Sequence, residues 1–320
     1  MKDAFFALGM GGPDNSEAIA PFLRNLLSDK EIIDFHLGRH LQNFLAGRIA
    51  KKRAPMIKPF YDLMGGGSPQ LPLTLAFAKK VAFFYEKETA RELDIYAGMC
   101  YWHPFIEDTI SRIKEESYSK IYLFPMYPQY SRTTVGACYS RLEKILKKDP
   151  FQAPVLEIRR YNTHLPYLKA LAKRIKEAAE KLGKKPEEVH VLFSAHSLPK
   201  YIIDAGDPYV KDIKEQVRLL TAILPIKSHS LSFQSKLGRM KWLTPSTTEE
   251  IIRLARKGEK DIVVVAISFV NDHIETLVEL DVDLMKQAEH LGLNMVRAVS
   301  LNDSDDFALA VVTLLTKGSQ

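Results

Sequence analysis

The stretch Ile262-Val263-Val264-Val265-Ala266-Ile267-Ser268-Phe269-Val270-Asn271-Asp272-His273-Ile274-Glu275 decides the fold. Its first six residues are apolar at every position and mostly β-branched, the pattern of a strand covered on both faces. Polar groups follow at once, and an amphipathic helical run over 274–290 comes next. A buried strand that passes through a polar loop into a helix is half of a βαβ unit.

The same rhythm extends outward to both ends of the chain. Strands are predicted at 4–8, 94–98, 120–124, 155–158, 190–194, 230–233, 261–267 and 294–298. Helices are predicted at 16–27, 73–88, 106–115, 135–147, 166–182, 213–220, 248–257, 274–290 and 306–315. Strand and helix in alternation predict parallel sheets with right-handed crossovers. Two smaller doubly wound domains fit better than one eight-stranded sheet, with the break near 162–165. The expected domains are therefore 1–162 and 163–320, the last helix packing back on the first domain. The polar motifs fall at the carboxyl ends of strands in both halves, where open α/β sheets bind ligands, and two such edges face to face would make a cleft.

Bulk properties narrow the class. The 320 residues are 46% hydrophobic and 26% charged, which suits a globular protein and excludes a disordered one. The formal charge of +6 is spread along the chain, and no nucleic-acid recognition motif accompanies it. It suits an acidic ligand. Cys100 and Cys138 are the only cysteines, so a four-cysteine zinc or iron–sulfur site from this chain alone is excluded. The short apolar run at residues 4–8 reads as a first strand and not as a signal peptide. The longest apolar stretch, 262–270, falls far below the roughly 20 residues of a membrane helix. A cytoplasmic protein is expected, in transient contact with a membrane surface at most.

Two segments carry the chemistry. In Phe193-Ser194-Ala195-His196-Ser197-Leu198-Pro199 a buried strand ends and His196 emerges from it. A neutral imidazole there accepts a proton near pH 7, although a lone histidine in such a place is more often a loop-bracing one. In the second segment Glu275, Glu279 and Asp283 recur at i, i+4 and i+8, on one face of a helix. Like charges so spaced repel by a few tenths of a kcal/mol per pair. A row of hard oxygen ligands suits a divalent metal or protons in transit, and π-type winding would draw the row into line.

Together these motifs resemble the ferrochelatase family. The resemblance rests on SAHSLP with GDPY (residues 194–199 and 206–209), QSKLGRMKWLTPST (234–247) and ISFVNDHIETLVELD (267–281). In the first half it rests on GGPDNSEAIAPFLRNLLSD (11–29), MGGGSP (64–69) and LFPMYPQYSRTTVG (123–136). It spans nearly the whole chain, in order.

The resemblance implies two similar Rossmann-like domains with a porphyrin in the cleft between them, and Fe2+ as a substrate without an organic cofactor. It implies His196 and Glu275 as the catalytic pair and, together with Asp272 and His273 of the same segment, as metal ligands. Glu279 and Asp283 then extend a metal or proton trail. Porphyrin contacts are expected from Met10, Arg53, Tyr61, Ser68, Tyr130, Ser235, Trp242 and Phe269. Met10, where some relatives carry tyrosine, resembles the branch that uses protoporphyrin and not coproporphyrin. Cys100 stands where an arginine is common and Arg239 where a proline is, which puts the usual contacts at Cys100 in doubt. A chelatase for another metal or tetrapyrrole and a non-enzymatic porphyrin or haem carrier remain as alternatives, and the sequence assigns no oligomeric state.

Overall fold

The computed structural model describes residues 2–33, 38–236 and 240–317. Arg239 lies outside them. Internal contacts divide the chain into two units, Met1–Arg160 and Tyr161–Gln320.

The first unit is a four-stranded parallel sheet in the order β2-β1-β3-β4, from β1 (Asp3–Gly9), β2 (Leu93–Met99), β3 (Ile121–Pro125) and β4 (Val155–Glu157). Between β1 and β2 come helices α1 (Ile19–Ser28), α2 (Arg39–Leu63) and α3 (Gln70–Thr89); α4 (Ile106–Lys114) precedes β3. A π turn (Arg132–Gly136) leads into α5 (Ala137–Leu146) before β4. Every residue of β1 is buried, as its unbroken apolar run requires of a central strand. Phe5 packs with Phe77 of α3 and Phe124 of β3, ring centroids 5.5–6.2 Å apart.

The second unit repeats the plan. Its sheet runs β6-β5-β7-β8, all parallel, from β5 (His190–His196), β6 (Ser228–Gln234), β7 (Asp261–Ala266) and β8 (Asn294–Arg297). Its helices are α6 (Leu165–Lys181), α7 (Lys200–Asp204), α8 (Tyr209–Ile223), α9 (Thr247–Arg256), α10 (Ile274–Leu277), α11 (Met285–His290) and α12 (Asp305–Lys317). The last helix packs along α6 of its own unit. In each sheet the first strand lies in the middle and the chain leaves on both sides of it. The switch points are thus β1/β3 and β5/β7, where side chains beyond the strand ends are open to a ligand.

The α/β class and all eight strands agree with the expectation. Three helical features differ. The longest helix, α2, lies where no helix is predicted, and it contains Pro55 and Pro59. A proline removes the hydrogen bond to the carbonyl four residues back, here those of Lys51 and Pro55. Lys51, Pro55 and Pro59 are all exposed on one face, so water solvates those carbonyls and the helix persists. The short helix α7 is also unpredicted. The expected single helix over 274–290 is three pieces, α10, a π turn (Glu279–Leu284) and α11. Within it the amides of Val282 and Asp283 both donate to the Val278 carbonyl at 3.0 Å. Leu280, Leu284 and Ala288 pack into one core cluster with Val264 of β7 and Leu254 of α9.

Candidate active site at the β5/β7 switch point

His196 is the last residue of β5 and is half-buried. Its Nδ1 lies 2.7 Å from the Ser197 carbonyl oxygen. A carbonyl only accepts, so the proton of a neutral ring sits on Nδ1 and Nε2 keeps the basic lone pair. The backbone of His196 is held as firmly. Its N–H donates to Ser268 Oγ (3.2 Å), and its carbonyl accepts from the Tyr209 hydroxyl (2.9 Å). Ser268 Oγ in turn meets the Tyr209 oxygen at 2.6 Å. Because the tyrosine proton is committed to His196, the serine must donate to the tyrosine, and the three residues close a ring of hydrogen bonds.

The loop after β7 brings the second set. The Phe269 ring stands edge-on to both histidines, 6.0 Å from His196 and 4.2 Å from His273 by ring centroids. Helix α10 starts with a capping box at His273, whose N–H donates to Thr276 Oγ1 (3.0 Å) and whose Nδ1 accepts from the Glu275 amide (3.2 Å). The same Nδ1 lies 2.8 Å from Glu275 Oε2. Burial alone would raise the Glu275 carboxyl, but His273, and then His196, outweigh it and hold the group at about 2. Glu275 is therefore an anion at neutral pH. Its side chain is 32% exposed, the open side of the pair.

Glu279, one turn on, is gripped from β6. The Ser235 amide donates to its Oε1 (2.7 Å), the Ser235 hydroxyl donates to Oε2, and Gln234 Nε2 reaches Oε2 at 3.3 Å. Gln234 also donates to the Glu275 carbonyl (2.8 Å) and accepts from Ser194 (2.7 Å). Ser235 adopts φ of 67°, a left-handed conformation that turns its N–H and hydroxyl onto one carboxylate. Asp283 is exposed on the π turn.

Asp272, expected among the metal ligands, is held by donors of its own unit. Its Oδ1 accepts from Thr276, Ser300 and Arg297 at 2.7–2.9 Å and its Oδ2 from Asn302 at 2.8 Å. Burial would raise this carboxyl, but the Arg297 charge and these donors hold it below the usual range. Both oxygens are spent inside the protein. Among the described residues no three His, Cys, Asp or Glu side chains form a ready-made metal site.

The remaining expected contacts fall in two groups. In the second unit Trp242 pairs by backbone with Pro199, bracing the loop after His196. In the first unit Met10 follows β1, its N–H on the Tyr127 hydroxyl (3.0 Å) and its carbonyl on the Tyr101 amide (2.9 Å). Ser68 backs that loop so closely that a Cβ on Gly12 would lie 2.6 Å from it. Tyr130 is half-buried beyond β3; Tyr61 is buried and Arg53 half-buried on α2. Cys100 is wholly buried with its sulfur 3.4 Å from that of Cys138, so it fills core space in place of the common arginine.

Ser268, Tyr209, Gln234, Asp281 and Arg297 were not singled out by sequence reasoning. Tyr209, Gln234, Ser268 and Asp281 lie in quoted motifs, which were the available signal; Arg297 lies in none.

Paired parallel sheets with acid–base side chains at a strand-end switch point define a chelatase-type α/β protein. SirB from Bacillus subtilis, in a structure with Fe3+, superposes with a TM-score of 0.57 at 12% identity, covering 100% of this chain and 96% of that one. CbiX, described as the terminal enzyme for biosynthesis of siroheme in denitrifying bacteria, gives 0.52 at 12% identity, with 100% of both chains covered. Sequence similarity is far closer within one family. The ferrochelatase family model matches residues 2–319. A ferrochelatase of Aquifex aeolicus is 40% identical over 319 residues, 98% of this chain and 99% of that protein. One of Geotalea uraniireducens is 40% identical over 317 residues, 99% and 98%. This chain belongs to the ferrochelatase family.

Proposed function

We propose that the chain inserts Fe2+ into protoporphyrin IX, giving protohaem and two protons. Each pyrrole N–H exchanges its proton for a bond to the metal, so the reaction needs a base beside the ring and a negative group that favours the dication. One observation carries this reading. A histidine with its Nε2 lone pair set by hydrogen bonding stands within electrostatic reach of a carboxylate held ionised by a second histidine. His196 is the proton acceptor in this proposal. Glu275 and His273 guide iron and relay protons, and Glu279 and Asp283 continue the path. A bent ring, with its nitrogen lone pairs turned out, is the species such a site would favour.

Phe269, Trp242 and Ser235 are the porphyrin contacts proposed in the second unit, and Met10, Arg53, Tyr61, Ser68 and Tyr130 those in the first. Met10, its backbone tethered beyond β1, stands where the branch of the family that resembles protoporphyrin users carries methionine, and this supports protoporphyrin over coproporphyrin. The test is anaerobic Fe2+ insertion into protoporphyrin IX and coproporphyrin III side by side; a strong preference for coproporphyrin overturns the substrate assignment. Among the described residues no helix is long and apolar enough to cross a membrane. Exposed Phe44, Met56 and Leu63 share α2 with Lys51, Lys52 and Arg53, which supports a cytoplasmic enzyme that touches an anionic membrane surface to collect its poorly soluble substrate.

A further inference from the structure

Arg297, the last residue of β8, is 7% exposed, and an arginine so deeply buried must have its charge and donors matched. Its Nε and Nη2 donate to the two oxygens of Asp281, each at 2.7 Å. Nη1 donates to Asp272 Oδ1 at 2.9 Å and to Ser300 Oγ at 3.2 Å. Asp272 immediately precedes His273, and Asp281 lies in the π turn, two residues after Glu279. One planar side chain thus grips both ends of the segment that carries His273, Glu275 and Glu279.

The two grips differ in kind. The Asp272 end is also tied by Thr276, Ser300 and Asn302, and Asn302 Oδ1 further accepts the Asp272 amide at 2.8 Å. That end is over-determined. At the Asp281 end the bidentate pair fixes angle as well as distance, because guanidinium and carboxylate are coplanar forks. A π turn is a rare winding that persists only where its surroundings hold it. The Asp281–Arg297 pair ties it to the end of β8, while Gln234 and Ser235 at the end of β6 hold Glu279.

We propose that Arg297, acting through Asp281, is a positioning residue for metal insertion. It sets the distance and register between the His273–Glu275 pair and Glu279 along the path of iron and protons. This rests on the proposed ferrochelatase activity of the same site. Lysine at 297 keeps the charge but is a single point donor and does not span both carboxylates in plane. Asp281→Asn removes one charge from the more exposed partner and leaves the Arg297–Asp272 contact intact, so it guards against a variant that fails to fold.

The test compares R297K, D281N and R297A with the parent in steady-state Fe2+ insertion, well below each protein's melting temperature. We expect kcat to fall about 10- to 100-fold in R297K and less in D281N, since small misplacements of reacting groups cost that much. KM for porphyrin stays within about twofold, because uniform binding is untouched. Millimolar guanidinium ion restores part of kcat to R297A and none to R297K, whose lysine fills the space. If R297K and D281N melt earlier yet keep kcat within about twofold, Arg297 is a strut for stability only and the inference falls. A parent protein that inserts no iron at all overturns the activity itself, and this inference with it.

Discussion

Removing the Tyr209 hydroxyl tests the hydrogen-bond ring that holds His196. In Tyr209→Phe the His196 carbonyl loses its 2.9 Å donor and the Ser268 hydroxyl its 2.6 Å acceptor, both in a buried setting. A buried polar group left without a partner costs about 1–3 kcal/mol, so the variant should lose roughly 2–4 kcal/mol of stability. Ser268→Ala orphans a different group, the His196 amide, whose 3.2 Å acceptor disappears. The double variant has no stranded serine hydroxyl. It should therefore cost about 1 kcal/mol less than the sum of the two singles. Urea unfolding of the four proteins measures the cycle, and Fe2+ insertion by the same four shows whether a loosened His196 also loses rate. Additive singles, or a Tyr209→Phe cost below about 0.5 kcal/mol, would refute the closed ring and with it the fixed placement of His196.

Other consequences are direct. His196→Ala should slow iron insertion by at least about 100-fold, the usual contribution of a positioned base, while porphyrin binding by fluorescence quenching stays near the parent value; parental rates would remove His196 from the chemistry. Ser235→Ala and Glu279→Gln should each weaken the hold on the acidic path and lower kcat, and because they break the same contact the double variant should be little worse than either single. Strictly multiplicative losses would show that the two residues act separately. Burial pulls the His190 imidazole down to about 4, against the opposing pull of Glu259 and Glu250. The unfolded chain therefore binds a proton from about pH 6.5 downward that the folded protein refuses until about 4, and stability, full above that window, falls by about 2 kcal/mol at pH 5. His190→Gln should flatten that part of the urea-midpoint profile, and parallel profiles for the two proteins would count against it.

Much of the fold was legible because its signals are local. β1 and β7 announce themselves as nearly unbroken apolar runs, since a strand covered on both faces has no polar side to display. The helix α2 was not legible. Its prolines argue against a helix, and only the exposure of the Lys51–Pro59 face explains why the lost hydrogen bonds are tolerated. The π turn was equally hidden, because the i, i+4 spacing of Glu275, Glu279 and Asp283 is the same in either winding.

Sequence alone determined that a strand ends at His196 and that Glu275 lies at the start of a helix after another buried strand. These are properties of neighbouring residues, set by side-chain periodicity. Tertiary structure decided what those residues touch. The sheet order β6-β5-β7-β8 sets the two strand ends side by side, so that Phe269 meets both histidines and β6 reaches Glu279. It also pairs Asp272, expected as a ligand, with Arg297, 25 residues away. A carboxylate's role depends on which donors arrive first at its oxygens, and those donors come from strands distant in sequence and adjacent only in the folded sheet.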